Sequence, residues 1–153
     1  MNKFKKIVVF LFIIGLGFSA SFAAVDFTGV KALAGRVSPD LASKVEFQGL
    51  DATGDEARLS AQDGKVLIRA TNPRSASLAL GRYIRDVANG HISWCASRIP
   101  TEWPLPESEI VVKPLHPYAI AYNYCTISYT MAFWGEAEWR KEIDRLALQG
   151  YNI

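Results

Sequence analysis

Five prolines fall between Ile99 and Pro117 and divide this 153-residue chain into two unequal parts. Proline has no N–H to donate and disfavours a helical residue before it, so neither a helix nor a central strand continues through such a segment. We therefore predict a folded unit over residues 24–98, an extended Pro-rich connector over residues 99–117, and the start of a second unit over residues 118–153. The chain is too short for a complete (β/α)8 barrel, which typically needs about 250 residues.

The first 23 residues have the pattern of an export signal. Three lysines within the first six residues precede an apolar run over residues 7–18, and Ser21 and Ala23 occupy the −3 and −1 positions of a cleavage site. The run is shorter than the roughly 20 residues that a bilayer crossing needs, so we predict a signal peptide over residues 1–23. An uncleaved anchor is the alternative. We expect an exported protein, periplasmic, extracellular or lumenal, with no stable membrane span after signal cleavage.

The formal charge of +2 comes from this segment, because it holds three lysines and no acid. From residue 24 onward there are 14 basic and 15 acidic residues, so we predict no nucleic-acid partner. With only His91 and His116 and no CxxC or HExxH motif, the sequence predicts no metal site. Whether Cys95 and Cys125 pair stays open, since export permits a disulfide but sequence alone does not show that the two residues approach.

Residues 24–98 have the pattern of a small α+β domain. Asp63-Gly64 is the clearest signal, because both residues tolerate the positive φ of a two-residue hairpin. Alternating apolar residues flank it on both sides. The predicted elements are a helix that Thr28 caps and that runs to about Val37, a strand over 45–50, hairpin strands over 57–62 and 65–70, a helix that begins at Asn72-Pro73 and stops at Asn89-Gly90, and a short strand over 92–94 that returns to the sheet.

The second unit begins with an aromatic, β-rich segment over residues 119–130, followed by a helix over 135–149 and the entry to another strand over 151–153. The spacing of the apolar residues predicts a buried helix stripe of Trp139, Ile143, Leu146 and Ala147. Such a start leaves an apolar helix face and an open sheet edge without partners. We therefore expect the sequence to be a fragment or a truncated reading frame.

Two stretches of the second unit, Tyr122–Trp134 (YNYCTISYTMAFW) and Trp139–Ile153 (WRKEIDRLALQGYNI), resemble the opening of the alpha-N-acetylglucosaminidase barrel of glycoside hydrolase family 89. Upstream, Ser75–Ile84 (SASLALGRYI) and His91–Trp94 (HISW) resemble the N-terminal domain of the same family. The resemblance implies an α+β accessory domain followed by the first βα unit of a truncated (β/α)8 barrel.

The resemblance also implies an activity for the full enzyme. The family removes terminal α-linked N-acetylglucosamine from glycans with retention of configuration and without a cofactor, using two glutamates. In the family both glutamates come from later barrel strands. Glu136, Glu138 and Glu142 match neither position, so no catalytic residue is assigned and the 153-residue chain itself is predicted to be inactive.

The resemblance also implies which residues of this chain line part of the sugar pocket. The family's −1 subsite is lined by residues that match Asn123, Cys125 and Tyr129, which are the predicted substrate-binding residues for a glycan with terminal α-N-acetylglucosamine. Trp94, Trp103 and Trp134 are candidate platforms for a sugar ring; the preferred prediction places Trp94 in the core and has Trp103 anchor the connector. A function of another class is the alternative: a free-standing, non-catalytic carbohydrate-binding or interaction module.

Overall fold

A computed structural model describes residues 24–153, so the predicted signal peptide lies outside the described residues. The protein is a mixed helix-and-sheet structure in which helices pack against a four-stranded sheet. A separate two-stranded hairpin and a C-terminal helix follow. The elements are α1 (Thr28–Val37), α2 (Pro39–Lys44), β1 (Val45–Gly49), β2 (Ala57–Gln62), β3 (Lys65–Ala70), α3 (Pro73–Arg82), β4 (His91–Ile92), β5 (Ser97–Arg98), β6 (Ile110–Val112) and α4 (Glu136–Leu148).

The sheet has the strand order β1-β3-β2-β6. The predicted hairpin is confirmed and forms the centre of the sheet. Its strands β2 and β3 pair antiparallel, beginning with Gln62 opposite Lys65 next to the turn. Asp63 and Gly64 adopt φ of 50° and 75°, the positive values that a tight turn between these strands requires. On the far side of β3, β1 runs parallel to it, with Val45 and Phe47 buried as their alternation predicts.

Helix α3 starts where the sequence predicts. The Asn72 side-chain oxygen accepts a hydrogen bond from the Ser75 N–H at 2.9 Å, and Pro73 occupies the first turn, where its missing N–H costs nothing. The helix continues as a π-helical turn over Tyr83–Val87 and stops at Asn89, whose φ is 54°. The chain therefore reverses toward β4 at the predicted Asn-Gly.

The core lies between this helix and the sheet. Leu59 and Ile68 from the hairpin are fully buried against Leu80 and Tyr83. Trp103 stacks on Tyr83 with ring centroids 6.2 Å apart, and the Tyr83 hydroxyl donates to the Pro104 carbonyl at 2.9 Å. The prediction that Trp103 anchors the connector is confirmed, and the same burial raises the pKa of Tyr83 to about 12.

Three local predictions in the first unit are wrong. Thr28 does not cap α1; its N–H instead donates to the Asp26 carboxylate at 2.8 Å. The segment after α3 does not return to the main sheet, because β4 pairs with β5. Trp94 is not in the core, since 54% of it is exposed.

The Pro-rich segment is not only a connector. Its residues 110–112 form β6, which pairs antiparallel with the outer edge of β2. An edge position tolerates nearby prolines because only one side of the strand needs hydrogen-bond donors. The sequence predicts an extended conformation here, but pairing with a strand some fifty residues away has no local signal.

The second unit departs further from its prediction. Residues 119–130, all of which the structure describes, contain no strand; Thr126–Thr130 form a π-helical turn. Ala119 and Ala121 nevertheless hydrogen-bond through their backbones to Asn152 and Ile153 at 2.8–3.2 Å. The two ends of the predicted strand–helix–strand unit therefore lie side by side, joined by α4.

Helix α4 forms as predicted, but it buries a different face. Ile143 is 60% exposed and Trp139 is 37% exposed, whereas Glu142 and Leu148 are buried. Helix α4 contacts α3, and of the predicted stripe only its C-terminal part faces the core, where Ala147 packs beside Leu148. Trp139 and Ile143 are left facing outward.

Replacing Asn72 by alanine is expected to lower the free energy of unfolding by about 1 kcal/mol, because the Ser75 N–H loses its acceptor. Urea denaturation followed by circular dichroism measures the change. Asn72→Ser keeps a capping oxygen and is the matched control, expected to lose only tenths of that value. Equal losses in both variants would contradict a capping role.

Candidate sugar-binding segment and the aromatic groove beside it

The three predicted substrate-binding residues lie on one irregular segment, residues 123–130. The Asn123 side chain donates from Nδ2 to Thr130 Oγ1 at 2.9 Å and accepts from the Cys125 N–H through Oδ1 at 3.2 Å. Thr130 Oγ1 in turn donates to the Cys125 carbonyl at 2.8 Å. These bonds close the segment on itself, so its shape is set by its own side chains rather than by a strand ladder.

This segment leaves polar groups available to a ligand. Asn123 keeps one amide hydrogen and one lone pair beyond its two bonds, and the Tyr129 side chain is 78% exposed. Cys125 is half-buried and not bonded to Cys95, which is exposed. An amide, a phenol and a small thiol can contact sugar hydroxyls, but they do not supply the pair of carboxylates that glycoside hydrolysis uses.

A groove of about 320 Å³ lies beside the segment, between the β4–β5 hairpin and α4. We call it the aromatic groove. Trp94 and Trp134 form its apolar walls, with ring centroids 6.0 Å apart at a steep angle. Thr130 lines it as well, so the groove and the 123–130 segment share a residue. Its polar lining comprises Ser93, Glu138, Lys141, Glu142 and Arg145.

A buried ion pair holds the Trp94 ring. Glu142 accepts two hydrogen bonds from the Arg145 guanidinium, at 2.5 and 2.7 Å, and a third from the Trp94 indole N–H at 2.5 Å. The same guanidinium lies 5.7 Å from the centre of the Trp94 ring, within the range of a cation–π contact. Burial by itself raises the pKa of Glu142, but the hydrogen bonds from Arg145 and Trp94 outweigh it and keep that pKa below its usual value.

Two further contacts fix α4 and the start of the second unit on the first. Arg36 of α1 makes a two-pronged bond to Asp144 at 2.6 and 2.7 Å. Arg74 of α3 donates to the carbonyls of His116, Pro117 and Gly150 at 2.8–3.1 Å. One arginine therefore holds both the residues that enter the second unit and the residue that leaves α4.

The two units approach each other closely at Gly81. A Cβ on this residue would collide with the backbone carbonyl of Leu148, so α3 and α4 touch main chain to main chain. Only glycine permits such a distance. This contact, together with the bonds from Arg36 and Arg74, sets the position of α4 on the first unit.

Comparison with known proteins identifies the family. Residues 28–107 match the Alpha-N-acetylglucosaminidase (NAGLU) N-terminal domain, and residues 119–153 match the NAGLU tim-barrel domain. The chain belongs to the alpha-N-acetylglucosaminidase family. Human alpha-N-acetylglucosaminidase is 34% identical over 91 residues, which is 58% of this chain and 12% of the human protein.

Solved alpha-N-acetylglucosaminidase relatives share the fold. A family 89 glycoside hydrolase from Clostridium perfringens, bound to its substrate GlcNAc-alpha-1,4-galactose, superposes with a TM-score of 0.74 at 27% identity. A complex from the same organism with 2-acetamido-1,2-dideoxynojirmycin gives the same TM-score at 28% identity. Each superposition covers 82% of this chain but only 15% of the clostridial one.

The sequence predicts the 123–130 segment as a binding site but does not predict the aromatic groove. Trp94 and Glu142 are 48 residues apart, and nothing local to either predicts their hydrogen bond. The sequence offers one sign of the groove: Glu142, an acidic residue, lies within the predicted helix over 135–149, next to the apolar stripe. Within residues 24–153 no three His, Cys, Asp or Glu side chains converge as a metal site, and no helix has the length and apolarity to cross a bilayer.

Proposed function

We propose that the chain is the N-terminal part of an exported, retaining glycoside hydrolase that removes terminal α-linked N-acetylglucosamine from glycans. The observation that carries the proposal is the succession, in one chain, of matches to the N-terminal and barrel domains of the family. The lysine-rich, apolar residues 1–23 would direct export. The chain spans 12–15% of the length of the relatives it matches, so the activity proposed is that of a longer enzyme.

Within that enzyme, residues 118–153 would form the first βα unit of a (β/α)8 barrel. The backbone bonds from Ala119 and Ala121 to the residues after α4 support this, because neighbouring barrel strands pair in that way on either side of a helix. The exposed aromatic side chains of residues 118–133 also support a barrel unit. Phe133 is fully exposed, and the four tyrosines over residues 118–129 are 68–81% exposed. Further barrel strands and helices would cover them.

In the proposed enzyme the 123–130 segment forms one wall of the pocket for the terminal sugar. Asn123 and Tyr129 would hydrogen-bond to the sugar hydroxyls, and Cys125 would be a small apolar wall. Retaining hydrolysis needs two carboxyl groups about 5 Å apart, one on each side of the glycosidic bond. Neither is assigned to this chain, because Glu138 bonds to the backbone at the start of α4 and Glu142 is held in its ion pair.

We expect the purified 153-residue chain to release no nitrophenol from an aryl α-N-acetylglucosaminide above a no-protein control. The physical reason is that the proposed pocket wall binds sugar but supplies no acid or nucleophile. An absorbance assay measures the release. Turnover that persists after repurification would contradict the assignment of catalysis to residues outside this chain.

A chimera tests the function itself. Residues 24–153 replace the equivalent part of the clostridial hydrolase, and the chimera is assayed on the same aryl substrate, with proton NMR to identify the first-formed anomer. We expect hydrolysis with release of the α-anomer, and a loss of about tenfold or more in kcat/KM for the Asn123→Ala chimera. Ser128→Ala, in the same segment, is the matched control. A folded chimera that releases the β-anomer would refute the retaining mechanism.

A further inference from the structure

The aromatic groove has a feature that packing alone does not explain. Trp94 is tied by its indole N–H to a buried ion pair, yet 54% of the residue remains exposed. A tryptophan that served only to fill the core would hide its ring, since burying a large aromatic surface is the main energetic gain of such a residue. Here the structure fixes the orientation of the ring and leaves much of it accessible.

The network behind the ring is rigid. The Arg145 guanidinium holds the Glu142 carboxylate by two bonds and also lies over the Trp94 ring. Trp134 packs edge-on against Trp94 and, on its other side, against Trp139 at 5.3 Å. An aromatic surface that is locked in one orientation loses little conformational entropy when a ligand binds to it.

The rim of the groove supplies hydrogen-bonding groups. Lys141 makes no ion pair within residues 24–153, in contrast to Arg140 and Arg145 on the same helix, which pair with Glu136 and Glu142. Lys141 lines the aromatic groove together with Ser93 from the hairpin, whose hydroxyl already donates to the Ala96 carbonyl at 2.7 Å. Lys141 is therefore the donor that is open to a ligand. A flat apolar wall with a few polar groups at its edge suits a pyranose ring, which has an apolar C–H face and a rim of hydroxyls.

The groove is also continuous with the proposed sugar pocket. Thr130 lines the groove and accepts the Asn123 amide bond within the 123–130 segment. A glycan whose terminal sugar contacts Asn123 and Tyr129 can therefore reach Trp134 past Thr130. Trp94, which packs against Trp134, belongs to the first unit of the chain.

We propose that the aromatic groove is a second sugar subsite, in which Trp94 from the first unit and Trp134 from the second bind a pyranose ring further along the same glycan. The proposal rests on the proposed function, because it takes the 123–130 segment as the place where the terminal sugar binds. It assigns a binding role to a residue of the accessory domain. The expected occupant is a neutral or acidic pyranose, since Lys141 can donate to a hydroxyl or to a carboxylate.

The test is a titration of the ¹⁵N-labelled 153-residue chain with GlcNAc-alpha-1,4-galactose, followed by NMR. Each of the four tryptophans has its own indole N–H signal. We expect the Trp94 and Trp134 signals to shift with the disaccharide, up to about 20 mM, whereas the signal of the buried Trp103 stays in place. Backbone signals of residues 123–130 report on the terminal-sugar pocket in the same experiment.

Trp134→Leu is the decisive variant, with Trp139→Leu as the matched control. Both lie in the same stack of rings, but only Trp134 lines the groove. We expect the first to weaken binding by about tenfold or more and the second by less than about twofold. Trp94→Phe is the second variant, since it keeps an aromatic wall but breaks the bond to Glu142; it is expected to weaken binding as well.

The outcomes separate the two proposals. Shifts at residues 123–130 without shifts of Trp94 and Trp134 would overturn the second subsite and leave the proposed function standing. A shift of the Trp94 signal that persists unchanged in Trp134→Leu would overturn it too. Tryptophan shifts that Trp134→Leu abolishes, with silent signals over 123–130, would support sugar binding in the groove and count against the proposed pocket.

Discussion

Replacing Gly81 by alanine is expected to separate α4 from α3. The added methyl group would collide with the Leu148 carbonyl, and this atom belongs to rigid helical backbone that does not turn aside as a flexible side chain does. Overpacking of this kind typically costs 1–3 kcal/mol, so we expect a loss of about 3 kcal/mol in the free energy of unfolding. Helix propensity alone would make the alanine variant more stable by about 1 kcal/mol. A measured loss would therefore have to come from the collision.

Gly35→Ala is the matched control for this substitution. Gly35 lies inside α1, and the nearest atom to an added Cβ is the Ala42 methyl at 3.9 Å, an ordinary contact. We expect this variant to gain about 0.5–1 kcal/mol. Urea denaturation measures both changes, and amide exchange locates the first. Residues 136–148 should lose protection in Gly81→Ala while β2 and β3 retain it; equal stability of the two variants would refute the close contact.

The second large effect is expected for Arg145→Met. Glu142 then remains as a buried carboxylate with only the Trp94 indole N–H as a partner. Removing one member of a buried ion pair costs about 3–5 kcal/mol, because the remaining charge is no longer compensated. Arg140→Met removes a solvent-exposed partner of Glu136 on the same helix and is expected to cost less than about 0.5 kcal/mol.

The loss in Arg145→Met should depend on pH. In the unaltered chain the pKa of Glu142 lies below its usual value, so its contribution to stability is present above the unfolded pKa of about 4.3 and is lost as the pH falls through the folded pKa. Without Arg145, burial raises the pKa of Glu142 and protonation relieves the uncompensated charge. The difference between the two proteins should therefore be large at pH 7 and small near pH 3.

A double variant completes this test. Glu142→Gln combined with Arg145→Met removes both charges and is expected to recover about half or more of the stability lost in the single variant. Urea denaturation at pH 7 and pH 3 gives the required free energies. A loss in Arg145→Met that is the same at both pH values and that Glu142→Gln does not reduce would show that the guanidinium acts by packing alone.

Most of what the sequence predicts correctly is local. The turn at Asp63 and Gly64 and the cap at Asn72 depend on residues within a few positions of one another, and the structure confirms both. The short β6 and the true buried face of α4 depend on contacts across the chain, for which neither alternation nor helical spacing is a signal. Helical spacing identifies an apolar face but does not reveal which neighbour will cover it.

The candidate site divides in the same way. Asn123, Cys125 and Tyr129 were found through the resemblance to a family, and the structure places two of them in one hydrogen-bonded loop with the third exposed beside them. The role of Trp94 depends on an acid 48 positions away. Contacts of that separation are formed by tertiary packing, so Trp94 looked like an ordinary core residue.

The form of β6 bears on how this protein avoids aggregation. An open sheet edge is a template on which a strand from another molecule can add, and amyloid-like assembly begins in this way. Of the two edge strands, β6 is only three residues long, and Pro114 lies just beyond its end, where it offers no N–H. This edge of the sheet is therefore a poor template for edge-to-edge growth. Aggregation of the 153-residue chain, where it occurs, should instead begin at the exposed aromatic side chains of residues 118–133.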